Sequence, residues 1–284
     1  MIERTINILV TITLIEMMVA VGLGVTIREM VSVVKNWRLV MRATLANYVC
    51  VPAVTVGLLI LFHPADPMVS AGFLILAVCP GAPFGPACTG IAKGNLPVAV
   101  GLMGLLAGSS AIAAPLLLYF LLPLMLGAGA EQVNAVKILN TLLVTQLLPL
   151  SVGLGLRHWR PRLAEMLQKP ANLVSALLGV SAMALILVVQ FHLLSEIEIR
   201  GWVGMSALLI ASCSFGWLLG GPGPDNRRAV ALTTSLRNVG VGLVIATSNF
   251  PGTAAMTSTL AYGIFEIIGS FLLALLWARR QNRQ

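Results

Sequence analysis

Long apolar runs follow one another along nearly the whole chain, and this feature constrains the fold more than any other. A helix that crosses a bilayer needs about 20 consecutive, mostly apolar residues. Runs of this kind cover residues 6–25, 39–62, 68–91, 96–124, 136–156, 172–191, 202–219, 229–248 and 255–277. Membrane β-barrels instead show short segments of alternating polarity. The runs predict an all-α membrane protein with about nine transmembrane helices in one integrated domain, residues 1–284.

The composition excludes several classes of protein. Hydrophobic residues make up 58% of the chain and charged residues 10%, whereas soluble domains carry about 25% charged residues. We therefore expect neither a soluble enzyme nor a disulfide scaffold. The four cysteines lie in or beside apolar runs without metal-ligand spacing, so the sequence predicts no metal site and no cofactor. The first run is too long for a signal peptide, so we expect it to remain as a membrane helix.

The positive charges are distributed unequally between alternate loops. Most of the 18 lysines and arginines fall on one side together with the C-terminal tail, while the other side has Arg4, Lys137 and Arg200. The positive-inside rule then predicts an outer N-terminus and a cytoplasmic C-terminus, in a plasma membrane or a bacterial inner membrane. Orientation explains the basic character, and we expect no nucleic-acid partner. The basic stretch 157–169 either lies along the anionic inner leaflet or forms an ordinary solvated loop.

Two of the apolar runs are interrupted. The stretch 79–86 holds three prolines and two glycines, and the stretch 233–240 is polar within an apolar run. Unwound backbone at membrane depth is tolerated where it is buried in protein or lines a cavity. A pair of interrupted helices in the two halves of a chain is typical of a transporter binding site. The alternative is a pair of Pro/Gly kinks that only assist packing.

Charged side chains inside the runs are rare, and three of them are candidates for function. Glu16, Arg237 and Glu266 cannot all be neutralised in pairs, because one arginine faces two carboxylates. The trio is either a proton site or a structural ion pair with a protonated second glutamate. Arg237 is also a candidate anchor for a carboxylate or sulfonate. Further polar candidates for the lining of a cavity are Asn47, Gln146, Thr233, Thr234, Ser235 and Asn238.

Several segments occur in the order and spacing typical of one transporter family. They are Gly22-Leu23-Gly24-Val25-Thr26 before a basic loop, Asn47 five residues before Pro52, Cys79-Pro80-Gly81 ten residues before Ala92-Lys93-Gly94, Asn238-Val239-Gly240, and Gly269-Ser270. Over most of its length the chain resembles a divergent, nine-span member of the bile acid:sodium symporter family.

This resemblance implies an inverted-repeat transporter fold, with repeat halves at about 1–126 and 127–284. The runs 68–91 and 229–248 would be two broken helices that cross at their interruptions, within a core domain. A smaller panel domain would move against the core in alternating access. Family members carry organic anions together with sodium.

The sequence departs from the family at the positions that hold sodium. Gly85-Pro86 replaces a Ser-Asn pair, and Ala99 and Met103 replace hydroxyl residues on the next helix. Thr233 and Arg237 replace a glutamate and a glutamine. The departures predict that both sodium sites are absent, and Arg237 would stand where a sodium ion stands. Glu266, or Glu16, would then be the residue that carries protons.

These observations predict a secondary transporter of a small organic anion, either a uniporter or proton-linked. The expected partners are the anion and the lipid bilayer, and the oligomeric state stays open. The predicted substrate-binding residues are Arg237, Asn238, Thr233, Thr234, Ser235, Asn47, Pro83, Gly85 and Pro86. Alternatives are a conventional sodium symporter, an auxin-efflux-type carrier, a channel, and a receptor that has lost transport. A membrane enzyme is disfavoured because the three histidines lie at span ends or in loops.

Overall fold

A computed structural model describes residues 2–126, 134–192 and 197–281. These residues form helices and contain no β-strand, which confirms the predicted all-α class. The helices are α1 (Ile2–Gly24), α2 (Ile27–Lys35), α3 (Trp37–Leu45), α4 (Val51–Phe62), α5 (Pro67–Ala77), α6 (Phe84–Ile91), α7 (Leu96–Leu126), α8 (Ala135–Leu142), α9 (Leu148–Trp159), α10 (Pro161–Val189), α11 (Ile199–Leu219), α12 (Pro224–Ser235), α13 (Val239–Asn249) and α14 (Ala254–Gln281). Two π-helical turns, Ala46–Cys50 and Leu143–Leu147, join α3 to α4 and α8 to α9.

Seven continuous helical segments of the described chain are long and apolar enough to cross a membrane. They are Glu3–Gly24, Trp37–Phe62, Leu96–Leu126, Ala135–Trp159, Pro161–Val189, Ile199–Leu219 and Ala254–Arg280. The other two predicted runs, 68–91 and 229–248, are each divided into two shorter helices. The first comprises α5 and α6, and the second comprises α12 and α13. Within these pairs, α5 and α13 are short apolar helices.

The basic segment after α1 is a helix, although the sequence was interpreted there as a loop. Thr26 and Glu29 form a reciprocal cap at the start of α2: the Glu29 carboxylate accepts the Thr26 N–H at 2.8 Å, and the Thr26 hydroxyl oxygen accepts the Glu29 N–H at 3.1 Å. Such a capping box satisfies N–H groups that the first helical turn leaves free. The side chain of Asn36 then caps α3 by accepting the Leu39 N–H.

The interpretation of residues 157–169 as a loop is also wrong. Helix α9 continues to Trp159, and α10 begins at Pro161 after a single residue, Arg160. Proline is favourable at the first position of a helix because its missing N–H has no partner there in any case. The side chains of Arg157 and Glu165 form an ion pair at 3.2 Å across the corner between the two helices.

Helix α1 packs closely against α9 and α10, and glycines set the distance. A Cβ atom at Gly22 would lie 2.5 Å from the Leu150 carbonyl oxygen, and one at Gly153 would lie 2.4 Å from that of Val19. Small residues of this kind let the backbones of membrane helices approach each other. In a second group α5 packs against α14, where the Thr259 hydroxyl donates to the Gly72 carbonyl oxygen at 3.1 Å.

Candidate functional site

The two interrupted stretches, 78–83 and 236–238, meet inside the protein. Pro80 and Arg237 form an isolated antiparallel β-bridge. The Asn238 N–H donates to the Cys79 carbonyl oxygen at 2.7 Å, and the Asn238 side-chain amide donates to the Gly81 carbonyl oxygen at 3.4 Å. Backbone groups that leave a helix need new partners when they are buried. Each interruption therefore supplies partners for the other.

Local residue types explain this junction. The Asn238 side-chain oxygen accepts the Val241 N–H at 3.2 Å and so caps the first turn of α13. Gly81 has a φ of 90°, a left-handed conformation that favours glycine. A Cβ atom at Gly81 would lie 2.4 Å from the Ala107 backbone nitrogen, so the glycine also lets this stretch approach α7.

Arg237 places a guanidinium at this junction, and its side chain is among the most buried large side chains, at 1% exposure. Nη1 donates to the Asn47 carbonyl oxygen at 3.4 Å. Within the described residues, Nε and Nη2 have no hydrogen-bond partner. Asn47 belongs to the π-helical turn Ala46–Cys50, and such turns occur frequently at functional sites.

Glu266 lies beside Arg237 but contacts its backbone. The Oε1 atom of Glu266 accepts the Arg237 N–H at 2.6 Å. The second carboxylate oxygen, Oε2, has no partner among the residues that the structure describes, and Glu266 is fully buried. The structure thus brings together two of the three charged residues singled out in the sequence. The third, Glu16, lies apart: its carboxylate accepts the hydroxyl of Ser175 on α10.

The predicted hydroxyl residues at the end of α12, just before the second interruption, are buried and hydrogen-bonded within the protein. Thr234 accepts the side-chain amide of Asn47 at 3.2 Å, and Ser235 pairs with Ser270 at 3.0 Å between hydroxyl oxygens. The Thr233 hydroxyl donates to the Ala229 carbonyl oxygen of its own helix at 2.9 Å. These side chains hold the junction together.

A cavity of about 350 Å³ lies between α1, α6, α7 and α10. Pro83 and Pro86 line it, as predicted for substrate-binding residues, whereas Gly85 faces Thr233, whose methyl carbon would lie 3.3 Å from an added Cβ. The cavity is lined by Met17, Ala20, Val21, Gly24, Pro83, Phe84, Pro86, Ala87, Val100, Met103, Gln168, Asn172, Ser175 and Ala176.

The polar wall of this cavity is formed by α10, and the sequence analysis did not assign it to the site. Gln168, Asn172 and Ser175 follow one another at helical spacing and face the cavity. The i, i+4, i+7 pattern of amide and hydroxyl side chains was the available signal. It was missed because the first of the three had been placed in a loop.

At the N-terminal end of α1, polar contacts join α1 and α8 to Ser248, near the end of α13. The ammonium of Lys137 on α8 donates to the Ser248 carbonyl oxygen at 3.0 Å. The side-chain amide of Asn7 on α1 donates to the Ser248 hydroxyl oxygen at 3.5 Å. The cavity lies instead along the C-terminal half of α1, from Met17 to Gly24.

The positions compared with sodium ligands offer few oxygens. Gly85, Pro86, Ala99 and Met103 carry no side-chain oxygen, and the Thr233 hydroxyl is used within α12. Across the described residues, no group of three or more His, Cys, Asp or Glu side chains is arranged to hold a metal ion.

Apolar helices long enough to cross a membrane, with a buried polar junction between them, define a multi-pass membrane protein. The family model described as "Sodium Bile acid symporter family" matches residues 11–197, and the chain therefore belongs to this family. The resemblance noted in the sequence is thus confirmed.

Two relatives of this chain are transporters by name. It is 23% identical over 281 residues to "Uncharacterized sodium-dependent transporter YocS" of Bacillus subtilis (strain 168), covering 93% of this chain and 81% of that protein. It is 22% identical over 279 residues to "Probable sodium/metabolite cotransporter BASS2, chloroplastic" of Oryza sativa subsp. japonica. That match covers 96% of this chain and 64% of the rice protein, so this chain spans less than two thirds of it.

Proposed function

We propose that this protein is a secondary transporter of small organic anions, carboxylates or sulfonates, that works by alternating access without sodium. One observation carries the proposal: the buried guanidinium of Arg237 reaches the Asn47 carbonyl oxygen where the two interrupted stretches meet. An arginine fork with unpartnered N–H groups suits a carboxylate or sulfonate, whose oxygens it can bind in pairs.

The same guanidinium disfavours a sodium ion at this place. Sodium binding needs several oxygen ligands, and a fixed positive charge repels a second cation. Two unit charges about 4 Å apart repel each other by about 4 kcal/mol at an effective dielectric constant of about 20. In this chain, Gly85, Pro86 and Thr233 stand where the family has sodium ligands. Few side-chain oxygens therefore remain to offset this repulsion.

For the architecture we propose nine spans, in which α5–α6 and α12–α13 are broken helices that cross at their interruptions. The core domain would comprise α3–α7 and α11–α14, and the panel would comprise α1 and α8–α10. The close packing of α1 on α9 and α10 supports this division. The proposed boundary between the inverted repeats lies between residues 126 and 127. It adjoins residues 127–133, which are outside the described part of the chain. We also propose that the N-terminus faces outward, because most lysines and arginines between the spans fall on the side of the C-terminal tail.

The proposed substrate lies in the cavity with its acidic group directed to the junction. Pro83 and Pro86, which line the cavity, contact its apolar body. Arg237, buried at the junction outside the cavity lining, binds the acidic group. Asn238, Thr234 and the other buried polar residues of the junction hold Arg237 and the two interruptions in position. No cofactor or metal is assigned a role.

The second candidate function is conventional sodium-coupled symport of an organic anion. The printed names of both relatives favour it, since one is called sodium-dependent and the other a sodium/metabolite cotransporter.

Flux into proteoliposomes separates these functions. The probes are labelled methanesulfonate and pyruvate, a small sulfonate and a small carboxylate, measured with an inward sodium gradient and with choline in its place. We expect saturable, exchange-stimulated uptake of at least one probe, with the same rate in both salts. This uptake should be lost in Arg237→Gln. The control variant Glu165→Gln, changed at an exposed residue, should transport normally. Uptake that requires the sodium gradient supports the second candidate. No saturable uptake of either probe contradicts a transporter of this class of anion and favours a receptor without transport.

A further inference from the structure

We propose that Arg237 and Glu266 form a single site that binds one organic anion and one proton together, so that the carrier is an anion–proton symporter. The proposal rests on the proposed function and adds the coupling ion, its residue and its stoichiometry.

Both hydrogen-bond donors and hydrogen-bond acceptors at this junction lack partners among the described residues. Arg237 has two nitrogens without a partner, Nε and Nη2, and Glu266 has one oxygen, Oε2. The side-chain oxygen of Asn47 is also unpartnered among the described residues. All three residues are at most 1% exposed. Buried polar atoms without partners are costly, so their collection at one place indicates a site that a ligand completes.

The formal charges at the junction determine whether a proton must bind together with the anion. The guanidinium of Arg237 and an ionised Glu266 together carry no net charge. An anion bound to the guanidinium leaves this buried place with one uncompensated negative charge, and an uncompensated charge in a buried place is costly. One proton on Glu266 restores neutrality.

The proton also supplies a missing hydrogen-bond donor. An ionised carboxylate only accepts hydrogen bonds, whereas a protonated one donates through its O–H group. Oε1 already accepts the Arg237 N–H, so the proton goes to the open Oε2. It arrives from water on one side of the membrane and returns to water on the other. No other bond is formed or broken. The anion then meets the N–H groups of Arg237 and the O–H of Glu266.

The neighbouring titratable groups leave Glu266 as the proton carrier. Tyr262, one turn earlier on α14, lies near enough to Glu266 and Arg237 to interact with them electrostatically, and Cys79 and Tyr48 lie near enough to interact with Arg237. These phenol and thiol groups are neutral in their ordinary state. Glu16 hydrogen-bonds to Ser175, away from this cluster.

Coupling follows from the charge of each state of the carrier. The empty site and the doubly loaded site are both neutral, whereas a site with the anion alone, or with the proton alone, carries a net charge in a buried place. Conformational exchange is therefore favoured for the empty and the doubly loaded forms. A monovalent anion moves with its proton without net charge transfer.

The cavity gives the anion a route to this site. Its wall includes Pro83, three residues beyond the Pro80–Arg237 bridge. Met17, on the opposite wall, approaches Gly240 closely, since a Cβ added there would lie 2.4 Å from the Met17 methyl carbon. The cavity thus borders the first interruption, and the Met17 side chain in its wall packs against the first turn of α13.

Binding to the purified full chain tests the linkage. Methanesulfonate is the main probe, because its sulfonate stays ionised across the range used, and pyruvate is the second. We expect the apparent dissociation constant, measured by thermal-shift titration, to increase about tenfold for each pH unit as one linked proton becomes scarcer. Glu266→Gln keeps the oxygen that accepts the Arg237 N–H and places an N–H₂ donor at the open position. Its affinity should be independent of pH. Glu165→Gln, at an exposed site, should retain the pH dependence.

The outcomes separate this proposal from the proposed function. Anion binding that keeps its pH dependence in Glu266→Gln overturns the proton assignment and leaves anion transport intact. Loss of that dependence in Glu16→Gln in place of Glu266→Gln also overturns it and assigns the proton to α1. If neither probe binds at either end of the pH range, both proposals fail. In proteoliposomes, Glu266→Gln should retain exchange of the probe while anion-driven proton uptake is lost.

Discussion

The carboxylate of Glu266 accepts the backbone N–H of Arg237 at 2.6 Å, while the guanidinium of the same arginine extends to the carbonyl oxygen of Asn47. The two charged residues are therefore neighbours without a direct side-chain fork between them. Glu266 fixes the backbone of the second interruption, and this leaves two guanidinium nitrogens free for a ligand.

Removing the Glu266 carboxylate should destabilise the protein. Glu266→Ala leaves the Arg237 N–H without its acceptor and a buried cation without its counter-charge, for an expected loss of about 3–5 kcal/mol in the free energy of unfolding. Glu266→Gln keeps the acceptor oxygen and should lose less. Denaturant unfolding in micelles compares the two, and equal losses would show that the backbone hydrogen bond contributes nothing.

Gly81 should not tolerate a side chain. Alanine there combines a left-handed backbone with a Cβ atom 2.4 Å from the Ala107 nitrogen. We expect a loss of about 2–5 kcal/mol in the free energy of unfolding. Gly179→Ala is the matched control, because an added Cβ in α10 meets nothing within 4 Å. It should be neutral or stabilising by about 0.5–1 kcal/mol. Similar stability of both variants would contradict the packing of the first interruption on α7.

The contacts of Ser248 should hold one end of the carrier closed. In Asn7→Cys/Ser248→Cys the two thiols replace groups that are 3.5 Å apart, and oxidation should join α1 to the end of α13. We expect exchange of the small anionic probe to stop on oxidation and to recover on reduction, because alternating access requires this end to open. Each single cysteine variant is the control. Full cross-linking with unchanged exchange would show that α1 and α13 do not separate during transport.

The sequence predicted the helices well because a bilayer imposes an apolar length that can be counted. Seven of the predicted runs lie on continuous helical segments and the other two on pairs of shorter helices. The two interruptions were placed by their prolines, glycines and polar residues. The errors fell at basic, polar segments. Two local signals indicated helices there: the Thr26 and Glu29 pair that caps α2, and Pro161 at the start of α10. They were given less weight than the high charge of these segments, which is typical of loops.

The candidate site could be predicted only as a set of residues. The polar run at 233–240 and the rarity of charge in membrane helices indicated Arg237 and Glu266. Which atoms meet depends on helix rotation and on the π-helical turn that presents the Asn47 carbonyl oxygen, and neither is encoded in local residue type. The separation of Glu16 from Arg237 likewise depends on tertiary packing. These contacts therefore became known only from the fold.

We propose that Arg237 stands in the place of a bound sodium ion. The thermal stability of the purified protein in sodium chloride and in choline chloride, at equal ionic strength, distinguishes the two. A ligand that binds the folded state at a hundredfold excess over its Kd stabilises it by about 2.7 kcal/mol. We expect the same unfolding temperature in both salts. A sodium-specific increase would contradict it and identify a sodium-coupled symporter with other ligands than Gly85, Pro86, Thr233 and Arg237.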